Sequence, residues 1–132
     1  MKTRVFIIGI IFSIFSFLDS YSQCPEPLNF NISNENSASA LASWDVPDGS
    51  EVIVSYRIAT KLGSSNWRPF DYNIDPDSTE RNIDTHDNIT LSPSTTYNVR
   101  IRSFCGINPE DGSNIQSGWV PSVSGQSFTT LD

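Results

Sequence analysis

The groups in this 132-residue chain that could do covalent or acid–base chemistry are few, and they do not fall at catalytic spacings. Its one histidine, His86, lies in a polar stretch where no serine or cysteine is marked as a nucleophile, so a hydrolytic triad is not indicated and a solvated ring is expected. Asp and Glu are plentiful, but a carboxylate pair for glycoside hydrolysis needs a cleft that raises one pKa, and the fold inferred below offers none. Asp71-x-Asn73-x-Asp75-x-Asp77 puts oxygen ligands at alternate positions, as a calcium loop does. Pro76 stands where such a loop needs Gly and Asn82 where it needs a bidentate Glu, so an acidic, solvated loop is expected instead. Asn31-Ile32-Ser33 and Asn88-Ile89-Thr90 are glycosylation acceptors only in a eukaryotic secretory route. No catalytic residue, metal ligand or cofactor is assigned, and an enzyme is not expected.

The remaining reactive side chains are Cys24 and Cys105, and their chemistry depends on compartment. Lys2 and Arg4, an apolar run from Val5 to Leu18, and Ser20 and Ser22 have the layout of a cleavable secretion signal over residues 1–22, cut ahead of Gln23. A retained membrane anchor is the alternative, but the run is 14 residues long and a bilayer core needs about 20. A lipoprotein is a further alternative, although Gln23 and Tyr21 are not the residues that processing before Cys24 prefers. Export into an oxidising compartment, with an even cysteine count, points to a Cys24–Cys105 disulfide. A metal site or reactive thiol would call for CxxC or Cys/His spacing, which is missing.

Residues 23–132 suit one domain of ordinary size. Removing Lys2, Arg4 and Asp19 from 8 basic and 15 acidic residues leaves 6 and 14, net −8. That balance excludes nucleic acid and anionic lipid as expected partners, since both need concentrated Lys and Arg.

The elements that must carry any site are strands. Apolar and polar residues alternate in short stretches between turn formers, and no segment keeps helical spacing over three turns. The alternation places Leu28, Phe30 and Ile32 on one face, then Ala40, Ala42 and Trp44, then Val54, Tyr56 and Ile58, with Asn66–Phe70 as a short edge strand where Pro69 is tolerated. Residues 71–88 read mostly as loop, and order returns in a short strand at Ile89-Thr90-Leu91. Tyr97–Cys105 is the clearest strand and buries Val99 and Ile101, residues 106–117 read as a long polar loop, and Gln126–Thr130 closes the chain. Seven such strands imply an all-β, antiparallel sandwich with Leu28, Phe30, Trp44, Tyr56, Ile58, Val99 and Ile101 in its core.

Leu91-x-Pro93-x-Thr95-x-Tyr97, running straight into Val99 and Ile101, resembles the signature of fibronectin type III domains, a seven-stranded immunoglobulin-like sandwich. Pro25 and Leu28, Trp44 followed by Pro47, Tyr56-Arg57-Ile58 and Phe128-Thr129-Thr130 fall in the family's order, so the resemblance covers residues 25–131. It implies a tyrosine corner of Leu91, Pro93 and Tyr97, whose hydroxyl bonds backbone near the preceding turn. Cys24-Pro25 with Cys105 looks like a variant common in bacterial secreted and surface proteins, and the resemblance sets both cysteines at one pole. Ala42 departs from the large aliphatic usual two before Trp44 and demands larger neighbours. No Arg-Gly-Asp occurs, so integrin adhesion is not implied.

Trp119 follows the long loop, and Arg100 and Arg102 share the outer face of their strand, so a cation–π ladder of the kind relatives of this fold carry is expected. Its rival is an exposed ligand contact at Trp119, for which Trp67 and Asn108 are further candidates. The expected function is a non-catalytic extracellular interaction or adhesion module that meets a surface protein through loops at the Cys105 pole, above all residues 106–117. A carbohydrate-binding accessory module of a secreted system, using Trp67 or Trp119, and a passive spacer are the alternatives. The mature protein is expected to be secreted or at the cell surface, monomeric, and without a transmembrane anchor.

Overall fold

Short runs of alternating side chains build two facing sheets. The computed structural model describes residues 23–122 and 124–132; the expected secretion signal lies outside them. The strands are β1 (Leu28–Ser33), β2 (Ala40–Asp45), β3 (Ser55–Leu62), β4 (Arg68–Ile74), β5 (Glu80–Ile83), β6 (Thr85–His86), β7 (Ile89–Thr90), β8 (Thr96–Ile107), β9 (Asn114–Gln116) and β10 (Gln126–Thr129). One sheet has the order β1-β2-β5 and the other β10-β8-β3-β4, with β9 also on β8; β6 and β7 form a two-residue hairpin. The pairings within these sheets are antiparallel. Seven strands thus make up the sandwich, with β6, β7 and β9 as short additions.

The core lies where the inward faces meet. Ala40, Ala42 and Trp44 from β2 face Tyr56 and Ile58 from β3 and Val99 and Ile101 from β8, all buried, with Ile32, Ile83, Leu91, Tyr97 and Phe128 around them. Trp44 meets Tyr56 edge-on across the sheets at 5.3 Å between centroids. Ala42 is fully buried in this cluster of larger side chains, which supply the volume that its small side chain leaves.

β8 organises the second sheet. β3 occupies one edge of it along eight residue pairs. The other edge is filled in instalments, by β9 opposite Phe104 and Ile107, Val120 opposite Ile101, and β10 opposite Thr96 to Val99. Ser117 ties in between, accepting from the Ser103 N–H through its Oγ (2.9 Å) and donating its own N–H to the Ser103 carbonyl (3.0 Å).

Four expectations from the sequence need correction. Leu28 is 48% exposed and not in the core, while Phe30 packs half-buried against it. The left-handed Asn29 (φ 52°) sits in a bulge between Leu28 and Asn31, and an extra residue there throws Leu28 out of phase with Ile32. Val54 precedes β3 and is 57% exposed. Residues 71–88 are not mostly loop: they hold the end of β4, all of β5 and the β6 strand, and β5 pairs with β2 through Ala40↔Ile83. As an edge strand, β5 buries only Ile83, so three polar residues of four hid it. Residues 106–117 are not an open loop but the end of a hairpin in which Ile107 pairs with Asn114.

Candidate functional site

Two surfaces carry the side chains singled out from the sequence. The first is the pole at which the β8–β9 hairpin emerges. Cys24 and Cys105 are joined there, with Cα atoms 5.7 Å apart across a sequence separation of 81. Beyond the bridge the tip closes on itself: the Asn108 N–H donates to the Ser113 carbonyl and the Gly112 N–H to the Asn108 carbonyl, each at 2.8 Å. Asn108 Oδ1 accepts from the Glu110 N–H, and Asp111 Oδ1 accepts from both the N–H and the hydroxyl of Ser113. The hydroxyl and the N–H of Ser113 hold the Asp111 carboxyl below its usual range. Asn108 is therefore spent on shaping the turn, and Ile107 at its base stands 55% exposed.

The second surface is the outward face of β3 and β8. The alternation that buries Val99 and Ile101 turns Arg100, Arg102 and Phe104 outward. Arg102 lies 3.8 Å and Arg100 4.2 Å from the Trp119 ring centroid. The stack runs further than these three residues. Arg100 also stands 4.2 Å from Trp67, whose ring has Lys61 at 5.8 Å, and Arg57 lies 3.7 Å from Phe104 and 5.3 Å from Tyr72. Trp67 gains its place because Gly125 has no side chain: a Cβ there would come within 2.6 Å of the indole and 2.8 Å of the Val99 carbonyl, and φ is +72°. Burial lowers the pKa values of Arg100 and Arg102, and for Arg102 the nearby Arg100 and Arg57 charges push the same way. Reading the outward positions of neighbouring strands together, Arg57, Ala59 and Lys61 against Arg100, Arg102 and Phe104, is the signal that would have found the whole stack.

The remaining candidates resolve individually. The Tyr97 hydroxyl accepts from the Ser92 N–H at 2.9 Å, with Leu91 buried and Pro93 exposed beside it. His86 is not freely solvated as expected: Nδ1 is 2.8 Å from the Thr60 hydroxyl, and the ring lies 5.9 Å from that of Tyr97. Burial lowers its pKa, against an opposing pull from Asp87 and with a smaller push from Arg68. Thr60 is only 1% exposed, so a substrate cannot reach the hydroxyl that His86 touches. Two carboxylates of the Asp71–Asp77 stretch are engaged locally, Asp71 with Arg81 at 3.2 Å and with the Asn73 N–H, and Asp75 with the Asp77 N–H. Among the described residues no three metal-capable side chains gather.

Comparison with known proteins adds to this geometry. A family model described as "Fibronectin type III domain" matches residues 25–118. No curated protein matches the chain. Among solved structures, the chain is similar to a myokine, with 21% identity, TM-score 0.56, and 80% of this chain and 96% of that one covered. It is likewise similar to the fn3 domain of human collagen alpha-1(XX), at 19% identity and TM-score 0.57 over 84% and 90% of the two chains. Titin domains A168–A170 align at 17% identity and TM-score 0.55 over 80% of this chain and 32% of that one. At these identities the likeness concerns the fold.

Proposed function

The chain belongs to the fibronectin type III family, whose domains are commonly non-catalytic modules in binding or spacer roles, and from that premise we propose an extracellular interaction module that meets a protein partner through the β8–β9 hairpin. The observation that carries the proposal is the exposed Ile107 on a hairpin fastened at its base by Cys24–Cys105 and closed at its tip by its own Asx turns. A surface preformed in this way loses little conformational freedom on binding, which favours affinity per contact. The disulfide in a domain of this family supports an extracellular site of action. Stacking of sugar rings on Trp67 or Trp119 has less support, because both indoles are half-buried and already face cations.

The test compares capture of surface proteins by the wild-type protein, by Ile107→Asp and by a variant with residues 108–113 replaced by a Gly/Ser linker. A partner retained by wild type and lost from both variants, with melting temperatures unchanged, supports the proposal. Retention by all three overturns it.

A further inference from the structure

Of the six Lys and Arg residues in 23–132, four lie on one face: Arg57 and Lys61 on β3, Arg100 and Arg102 on β8. The ion pairs among the described residues engage the other two, Arg68 with Asp87 and Arg81 with Asp71. The four on the outer face have aromatic rings for neighbours in place of carboxylates. Their arrangement concentrates charge. Arg57 and Arg102 are direct cross-strand partners, a pairing that is unfavourable for like charges. Arg100 follows two residues along β8, about 7 Å away, and Lys61 four residues along β3, about 13 Å from Arg57. The Nε atoms of Arg57, Arg100 and Arg102 are buried without a hydrogen-bond acceptor, so no acceptor among the described residues is matched to these donors. A chain with net charge −8 over residues 23–132 thus keeps a flat cationic strip on one sheet.

We propose that this face binds an anionic polysaccharide, whose sulfate or carboxylate groups meet the partly exposed side chains of Arg57, Arg100, Arg102 and Lys61. Charge complementarity selects an anion, and planar guanidinium edges match sulfate and carboxylate oxygens bidentately. The geometry favours a polysaccharide over a protein surface. A protein interface is anchored by exposed aromatic or aliphatic side chains at its centre, whereas here Trp67, Trp119 and Phe104 are half-buried against the cations and the exposed ring, Tyr72, stands on the edge strand β4. A repeating anionic chain laid along the strip needs no such anchor, because release of counterions drives its binding.

The experiment titrates the purified protein with dextran sulfate and with a polyuronate, using neutral dextran as the control. Binding to both anionic polymers and not to neutral dextran, weakening on the order of tenfold from about 50 to about 200 mM salt, is expected. Arg102→Gln weakens it by roughly fivefold or more and Arg81→Gln, on the opposite sheet, by less than about twofold. Because Arg102→Gln also disturbs the stack, Lys61→Gln, at its end, is measured beside it and should weaken binding with melting temperature unchanged. The proposal is overturned by a folded wild-type protein that binds neither polymer at low salt, or by affinities indifferent to both strip substitutions. Tighter binding of poly-glutamate than of either polysaccharide also overturns it, by assigning the strip to an acidic protein segment.

Discussion

Arg57 and Arg102 stand directly opposite each other on β3 and β8, yet each guanidinium lies against an aromatic ring, Phe104 at 3.7 Å for Arg57 and Trp119 at 3.8 Å for Arg102. The ring quadrupoles offset part of the repulsion between the two cations, so the aromatic residues and the arginines of this sheet depend on one another.

Trp119→Ala removes a half-buried indole and two cation–π contacts at once. We expect a loss of about 2–3 kcal/mol, seen as a melting temperature lower by roughly 10 °C. Unchanged stability with lost ligand binding would show that Trp119 serves a ligand and not the stack.

Gly125→Ala meets both a steric and a conformational obstacle, Trp67 and the Val99 carbonyl on one side and φ +72° on the other. Urea unfolding should give a stability lower by about 2 kcal/mol. A native midpoint would mean that the Trp67 end of the stack is loose.

Cys24→Ser with Cys105→Ser opens a loop of 81 residues. On the chain-entropy model the cost is roughly 4 kcal/mol, a large part of what a domain this size has. Denaturant unfolding with and without reductant measures it; equal midpoints would refute a stabilising bridge.

His86 has a pKa below its ordinary 6.5 in the folded protein, first because of burial. The unfolded chain therefore takes up the proton more readily. Stability is full above about pH 6.5, falls as pH drops from there to the folded value, and levels off below it. Melting curves from pH 8 to 5 should show this dependence flattened in His86→Gln; an identical slope in the variant would place its origin elsewhere.

How much of this was legible in the residues depends on how many of a strand's side chains are buried. β8 was plain because Tyr97, Val99, Ile101 and Ser103 are all buried at every second position. β5 was invisible because only Ile83 marks its inner face, and Leu28 misled because one left-handed asparagine breaks the period that placed it. The Trp119, Arg100 and Arg102 cluster was found within one strand and its following segment. Arg57, Lys61 and Trp67 were missed as members, because joining them requires the register between β3 and β8, which is set by the core and not by local spacing.

The disulfide also decides how the domain answers a mechanical pull. A load applied to Gln23 and Asp132 passes through Cys24 directly into Cys105, and the 80 residues between the two cysteines carry none of it. Only residues 106–132 can be drawn out, to about 90 Å, by unzipping β9 and β10 from β8. The rest of the sandwich, with most of its core, would stay folded and bear no tension until the bridge is reduced.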